Sequence, residues 1–549
     1  MTRIIIDCYT DEPAGLGVPP YLGTYPRYLY GYLKSNYQDE NIYYLTIDDL
    51  RLFLRYNNKT PTTKLSEKTN IKIHNLTINS PNIKEILINL SGKDEIYFIL
   101  GVHVPGKYLT AVPCTLRELN LLLKGLSDKV KNFNLPKKIL TGPASTKFGT
   151  RSEGGKFAEK QECFTNEFFD EVNPEIVSDY DRIAKYAIAG SEMIQQIGWP
   201  YIITEIETSR GCKKRRDGKG KNAPCSFCTE PLKHALEFRK INDIIDEVKA
   251  LSKKGIKYFR LGKQSDFFLW DEKGMKTLLK TIRDECEIDV LHIDNANPVL
   301  ITEEKVKLVV KYCTPGNIAA LGVESFDKDV VEANNLNSTP EKALEAIRII
   351  NKYGADRGEE LDKDNKSSKK GKNNKENVKY NDYNGMQKFI PGINILFGLI
   401  GENKKTHIEN MKYLQQILDE NLLLRRINIR QVAVFPETQI EKECGNKYLK
   451  KNKKYYWRWR NEIRQNIDNE MLKRLVPVGT ILKNCIAEIY DGKTTFLRQI
   501  GTYPLIIGVK GENIKKDGKI IEGKRLELGK FYDVKVTGHM LRSIVGEVV

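Results

Sequence analysis

The sequence predicts a three-part α/β protein: a doubly wound parallel α/β unit, a central partial (βα)6 barrel and a small C-terminal β-barrel. Three observations lead there. Short apolar strands alternate with helices over residues 1–150, the pattern of a parallel sheet covered on both faces. A second, more regular alternation occupies residues 199–440. From residue 477 the helices stop, and short strands separated by Gly-containing turns take over. The chain has 549 residues, 40% hydrophobic and 29% charged. That is enough for several cores, and it excludes a collagen, a wholly disordered chain and a disulfide-stapled peptide.

In the first unit the strands are expected at 3–7, 42–47, 95–100 and 138–140, with helices at 25–33 and 116–126. The last strand runs into Gly142-Pro143-Ala144, which suits a ligand crevice at strand carboxyl ends and equally an ordinary turn. Residues 151–198 are polar and read as a connector. In the central unit strands are expected at 201–206, 257–261, 290–293, 317–323, 393–399 and 428–435. Helices are expected at 241–254, 273–286, 303–312, 341–353 and 407–418. In the first of these, Ile241, Ile244, Ile245, Val248 and Leu251 recur at helical spacing. Six βα units are too few for an eightfold barrel and fit a partial one, with active groups at the C-terminal strand ends. An insertion at 356–388 is too poor in apolar residues to order itself. Residues 441–476 form a basic aromatic helical segment, and residues 477–549 a β-barrel with strands at 480–490, 505–509, 525–528 and 532–537.

Lys and Arg number 89 against 72 Asp and Glu, a net charge of +17. Residues 425–474 hold 14 of these cations against 6 carboxylates, and include Tyr455, Tyr456, Trp457 and Trp459. Such interleaving suits a phosphate backbone with stacked bases, and it also suits the solvated face of a Lys-rich chain. No apolar run reaches the roughly 20 residues of a membrane-spanning helix. The opening Met1-Thr-Arg-Ile-Ile-Ile-Asp reads as a buried strand rather than a signal peptide. The expectation is a soluble cytoplasmic protein with no membrane partner.

Seven of the ten cysteines are scattered singly, while Cys212, Cys225 and Cys228 cluster directly after the first strand of the partial barrel. Without a secretory signal such a cluster favours metal over disulfide. Three thiolates hold three irons of a 4Fe–4S cube and leave the fourth iron to a small molecule. The spacing alone also accommodates a structural zinc completed by His234, the alternative of a non-catalytic, zinc-stabilised RNA-binding protein. Position at a strand end favours the open cluster.

On these residues the chain resembles the radical S-adenosylmethionine (SAM) superfamily, whose three-cysteine motif carries an aromatic before the last cysteine, here Phe227. The family's usual gap of three residues between the first two cysteines is twelve here, filled by Lys213-Lys-Arg-Arg-Asp-Gly-Lys-Gly-Lys as a basic hairpin. Further strand ends match in order. Gly262, Gln264 and Asp266 stand where the family receives the methionine amino group, and Asp294-Asn295-Ala-Asn297 supplies polar groups for ribose or carboxylate. Glu324 and Ser325 end the fourth strand, followed by Asn334-Asn-Leu. Gly398-Leu-Ile-Gly401-Glu402 ends the fifth and is similar to the adenine-contacting segment of the methylthiotransferase-like branch. The resemblance implies a 4Fe–4S cluster and SAM as cofactors, reductive cleavage of SAM to a 5′-deoxyadenosyl radical, and a low-potential electron donor as partner. It assigns no catalytic residue beyond the ligands.

The C-terminal unit resembles the TRAM domain, an RNA-binding module, in Gly529-Lys-Phe-Tyr-Asp-Val-Lys-Val-Thr-Gly538. With the basic segment, expected beside it at the catalytic end, it makes RNA (tRNA) the leading substrate. The N-terminal unit resembles the flavodoxin/Rossmann-like domains that precede the barrel in methylthiotransferases and in cobalamin-dependent radical enzymes. Cobalamin acting on a protein or small molecule is therefore an alternative. It lacks a ligand motif here: Asp-x-His-x-x-Gly is absent, and His103 sits in Gly-Val-His-Val-Pro-Gly. Cys8, Cys114 and Cys163 do not stand where methylthiotransferases place further cluster cysteines.

Overall fold

The computed structural model describes residues 1–9, 21–37, 40–56, 71, 73–100, 113–142, 169–173, 176, 179–199, 201–215, 217–358, 382–511, 515–516, 519–520 and 525–549. His103, Cys163, most of the 356–388 insertion and much of the 151–198 connector lie outside them.

Strands β1 (Thr2–Asp7), β3 (Asn41–Thr46), β4 (Glu95–Ile99), β5 (Lys137–Thr141) and β6 (Glu171–Val172) form one parallel sheet in the order β3-β1-β4-β5-β6. Order reverses between β1 and β4, the switch point of a doubly wound sheet, where such folds open a ligand crevice. The Ile4-Ile5-Ile6 run is buried on both faces, as a central parallel strand requires. Thr115 caps the helix Leu116–Lys129 by accepting the Glu118 N–H.

Strand β2 (Tyr21–Leu22) leaves this unit and pairs with β7 (Ile203–Ile206) of the second. There β7, β10 (Tyr258–Leu261), β11 (Val290–Ile293), β12 (Asn295–Ala296), β13 (Asn317–Glu324), β14 (Phe389–Phe397) and β15 (Arg426–Gln431) are all parallel. β11 and β12 are one run broken at Asp294, so the six expected strands are present as an open barrel. Leu291, Ile293, Leu321, Ile393 and Ile395 face the outer helices within the core. Between β7 and β10 lies a short ribbon of β8 (Ser209–Arg210) and β9 (Glu237–Phe238).

The N-terminal unit is locked to the barrel by a buried ion cluster. Arg27 on the helix Thr24–Asn36 meets Glu247 Oε1 at 2.5 Å, and Arg239 meets Glu247 Oε2 at 2.6 Å. Burial pushes the Glu247 carboxyl up, but Arg239 and Arg27 outweigh it and hold the group below the ordinary range.

β16 (Ile481–Asp491), β17 (Thr494–Gln499), β18 (Ile507–Lys510), β21 (Phe531–His539) and β22 (Ile544–Val548) close a barrel; β19 (Lys515–Lys516) and β20 (Lys519–Ile520) form a separate ribbon. Residues 525–528, expected as a strand, are irregular, and β17, not expected, takes the place beside β16. The Asp491-Gly492 turn makes the β16–β17 hairpin, a pairing that strand alternation alone leaves open.

The position of this barrel corrects the sequence reading. It sits under the N-terminal ends of the strands, opposite the cysteines, with Ile486, Ile500 and Phe531 against Ile203, Tyr201 and Tyr258. The reason is the helical run 447–475, about 40 Å long at 1.5 Å per residue. It starts at the catalytic end, where Asn452 Nδ2 donates to Glu402 Oε1 at 2.9 Å. It finishes at the other end, where Gln387 Nε2 donates to the Leu475 carbonyl at 2.8 Å. A π-turn, Arg464–Asp468, lies within it.

Candidate active site

Each cysteine is placed by a specific backbone device. Gly211 has φ +79°, and a Cβ there would overlap the Ala235 carbonyl, so only glycine fits. Its N–H donates to Glu230 Oε1 at 2.9 Å, and its carbonyl accepts the Ser265 hydroxyl at 2.6 Å. Cys212 follows, bridged to Ala235. The long spacing to Cys225 is absorbed by a side excursion: the Arg215 N–H donates to the Asn222 carbonyl at 3.1 Å and closes it at the base. Outside that neck only Lys213, Lys214, Ala223 and Pro224 separate the excursion from the two cysteines.

Cys225-Ser-Phe-Cys228 is one tight turn, the Cys228 N–H donating to the Cys225 carbonyl at 2.9 Å. Ser226 is fully buried. Its N–H donates to the Asn334 carbonyl at 2.9 Å, its hydroxyl meets Asn334 Oδ1 at 2.6 Å, and its carbonyl accepts the Ile440 N–H at 2.9 Å. The Asn334 amide donates in turn to the Val330 and Ile400 carbonyls at 2.8 and 2.9 Å. Lys214 Nζ lies 3.7 Å from Cys225 Sγ and also bonds the Asn335 carbonyl. Phe227 packs against Val330, Leu399, Val432 and Ile440.

Burial pushes all three thiols above their ordinary range, and at Cys212 and Cys225 Lys214 opposes the shift. Cys225 rises to about 11, with Lys214 opposing the shift and Cys212 and Glu324 adding to it. Cys228 is raised by burial and then by Cys225. The three thiols lie within electrostatic reach of one another. A zinc ion with Zn–S near 2.3 Å would draw its sulfurs to within about 4 Å of each other. Among the described residues no three Cys, His, Asp or Glu side chains are grouped to hold a single metal ion. The donor set fits three corners of a 4Fe–4S cube better, because each thiolate then binds a different iron. His234 lies beyond the short helix Glu230–Lys233.

The other strand-end residues lie around this region. The Gly262 N–H donates to the Ile206 carbonyl at 3.2 Å, so β7 and β10 remain bonded past their ends. Gln264 is buried, its amide donating to the Leu261 carbonyl at 2.6 Å, and its backbone carbonyl accepts Asn295 Nδ2 at 2.9 Å. Asp266 caps the next turn by accepting the Phe268 N–H at 2.9 Å; burial pushes it up to about 7. Glu324 sits at a bulge in β13 with φ +64° and is also pushed up to about 7 by burial, Arg430 opposing. Ser325 is buried and caps its own turn, accepting the Asp327 N–H at 3.1 Å. Gly398 and Gly401 have φ +97° and +85°. The Gly398 N–H donates to Glu402 Oε2 at 2.5 Å.

Asp294, read from the sequence as a polar group for ribose or carboxylate, is engaged within the protein. It accepts the Tyr503 hydroxyl at 2.9 Å and lies 3.3 Å from Arg260, whose other nitrogen bonds Glu205 at 2.9 Å. Tyr503 comes from the C-terminal barrel and reaches into the open barrel's interior. The residues that sequence reasoning missed are Lys214, Ser226 and Tyr503, together with the clamping role of Asn334. The Asn334-Asn-Leu motif was visible, but its partner Ser226 lies 108 positions upstream.

Residues 206–359 match the model of the radical SAM superfamily. Over the whole of this chain and 93% of the other, it is 38% identical to the uncharacterized protein MJ0274 of Methanocaldococcus jannaschii. A stretch covering 30% of this chain is 21% identical to the ribosomal protein uS12 methylthiotransferase RimO of Clostridioides difficile, spanning 36% of that protein. Among solved structures, the radical SAM methyltransferase TsrM from Kitasatospora setae aligns at 13% identity and TM-score 0.46, over 80% of this chain and 75% of that one. The chain belongs to one full-length family with MJ0274 and carries, over residues 206–359, a radical SAM domain, the domain of enzymes that use a 4Fe–4S cluster and SAM.

Proposed function

We propose that the protein cleaves SAM at a cluster held by Cys212, Cys225 and Cys228 and uses the resulting radical to modify RNA. SAM would lie across Gly262, Gln264, Asp266, Asn295, Glu324, Ser325, Gly398 and Gly401. The cluster supplies the electron that breaks the sulfonium, and the protein supplies orientation and exclusion of water. The observation that carries the RNA reading is the helix Lys447–Ile463. Trp457 is 67% exposed on it, with the Arg460 guanidinium 5.3 Å from its ring centroid. Lys450, Lys451, Lys453 and Lys454 lie within two turns of Trp457. An exposed indole among cations is a stacking platform for an unpaired base. This helix starts beside Glu402, next to the strand ends that would hold SAM.

The test is anaerobic turnover with a low-potential reductant, measuring 5′-deoxyadenosine with and without total tRNA. RNA carrying the target site should raise the yield above the uncoupled rate and acquire a mass change. SAM cleavage indifferent to RNA, with no modified nucleoside, contradicts the RNA reading and leaves the enzyme class standing.

The second reading, a cobalamin held by the N-terminal unit, draws on that sheet's switch point between β1 and β4. Hydroxocobalamin retained through gel filtration would favour it.

A further inference from the structure

Away from the cysteines, the edge of the partial barrel gathers arginines from three segments. Arg425 and Arg426 stand at the start of β15. Arg464, in the π-turn, donates from Nη1 to the Ile427 carbonyl at 2.7 Å and pairs with Asp468. Its Nε is buried and has no partner among the described residues. Arg460 lies one turn earlier on the same helix. Asn469 Nδ2 donates to the Met540 carbonyl at 2.9 Å, drawing the β21–β22 hairpin tip with Arg542 onto this helix. Arg542 is within electrostatic reach of Arg464, Asp468, Arg460 and Arg426. The Arg426 guanidinium lies 3.7 Å from the Tyr503 ring centroid.

The charge at this junction does not balance. Asp468 pairs with Arg464 and is within electrostatic reach of Arg425 and Arg542, and among the described residues neither Arg425 nor Arg542 makes an ion pair or side-chain hydrogen bond. Burial, and then Arg426, hold Arg425 down at about 10. Guanidiniums present planar, forked donors that match the oxygens of a phosphate. Two features favour a phosphate within a chain over an isolated anion. Met540 and Leu541, beside Arg542, are 58% and 36% exposed, and Trp457 continues the surface along the helix toward the catalytic end. A strand the length of β15 spans roughly 17–20 Å, so a phosphate at this edge lies a few nucleotides from the strand ends.

We propose that Arg425, Arg426, Arg460, Arg464 and Arg542 form a phosphodiester-binding site that holds the RNA backbone between the C-terminal barrel and the catalytic face. The proposal rests on the RNA reading and adds where the backbone is held. It is tested by fluorescence anisotropy of a labelled single-stranded RNA and of tRNA with the full-length protein over a salt series. The variants are Arg425→Gln/Arg542→Gln and a charge-matched control, Lys273→Gln/Lys276→Gln, on an exposed helix elsewhere.

The arginine double variant should bind about tenfold or more weakly at ~0.1 M salt, since charge-assisted bonds contribute at least that. Its log–log salt slope should be shallower by about 1.4, at about 0.7 per phosphate neutralised on a single strand. The lysine control should stay near wild type. Arg542→Gln alone, on the exposed tip, carries the test if the double variant does not fold. Wild-type protein that binds no RNA contradicts the RNA reading itself. RNA bound equally by wild type and arginine variant, or lost equally in the lysine control, overturns the site while sparing that reading. Polyglutamate competing as well as RNA at equal charge would assign the site to an acidic protein and also overturn it.

Discussion

Asn334 meets Ser226 through its own carbonyl and side chain and Ile400 through its amide, so one buried residue ties the cysteine turn to the loop that ends β14. Replacing it with Ala would leave the Ser226 hydroxyl and the Val330 and Ile400 carbonyls without this partner. Each buried polar group left unsatisfied costs about 1–3 kcal/mol. Asn334→Ala should therefore lose at least about 2 kcal/mol in urea unfolding and bind less iron per chain on reconstitution. Asp329→Ala, on the exposed face of the helix Lys328–Ala333, should stay within about 0.5 kcal/mol of wild type. Unchanged iron content in Asn334→Ala would show that the turn holds itself. Residue identity made the cysteines legible in the sequence, because three thiols gathered after a strand end suit a metal centre and little else. It did not reveal Asn334, whose role exists only once a position 108 residues away is brought beside it.

The helices of the central unit were legible to within about three residues, because each has an amphipathic period and most carry a capping Thr, Asp or Asn, while the last two strands, Phe389–Phe397 and Arg426–Gln431, start and end earlier than expected. What the pattern does not encode is direction over long distances. The run 447–475 reads as helix from its sequence, but only the fold shows that it carries the last barrel to the opposite face. That barrel docks through His292, whose Nδ1 accepts the Thr502 N–H at 2.9 Å while Nε2 bonds the Pro315 carbonyl at 3.3 Å. Burial lowers the His292 pKa to about 4 from its ordinary 6.5. A group depressed in the folded state contributes stability that is present above its unfolded pKa and lost as pH falls through the folded one. Docking should weaken between about pH 6.5 and 4, by roughly 3 kcal/mol in full at 1.4 kcal/mol per unit. Thermal unfolding of wild type should fall more steeply over this window than that of His292→Asn, which keeps an acceptor near Nδ1 but cannot titrate. Parallel pH profiles would remove His292 from the docking account.

At the scale of the molecule, three units are stacked about one open barrel. The N-terminal sheet is fixed to it by the buried Arg27–Glu247–Arg239 cluster, and the C-terminal barrel closes the face opposite the cysteines. Closure from below, with Tyr503 on Asp294, fills the lower interior with protein and leaves the cysteine end as the place for chemistry. The central claim is that Cys212, Cys225 and Cys228, and no other side chain, hold a 4Fe–4S cluster that cleaves SAM. The most direct measurement is iron content together with 5′-deoxyadenosine formation after anaerobic reconstitution and reduction. It should be made on wild type, on the three single Cys→Ala variants and on His234→Ala. The account predicts about four irons per cluster site and SAM cleavage in wild type and His234→Ala, with both lost in each cysteine variant. Stoichiometric zinc without iron, lost equally in His234→Ala, would contradict it.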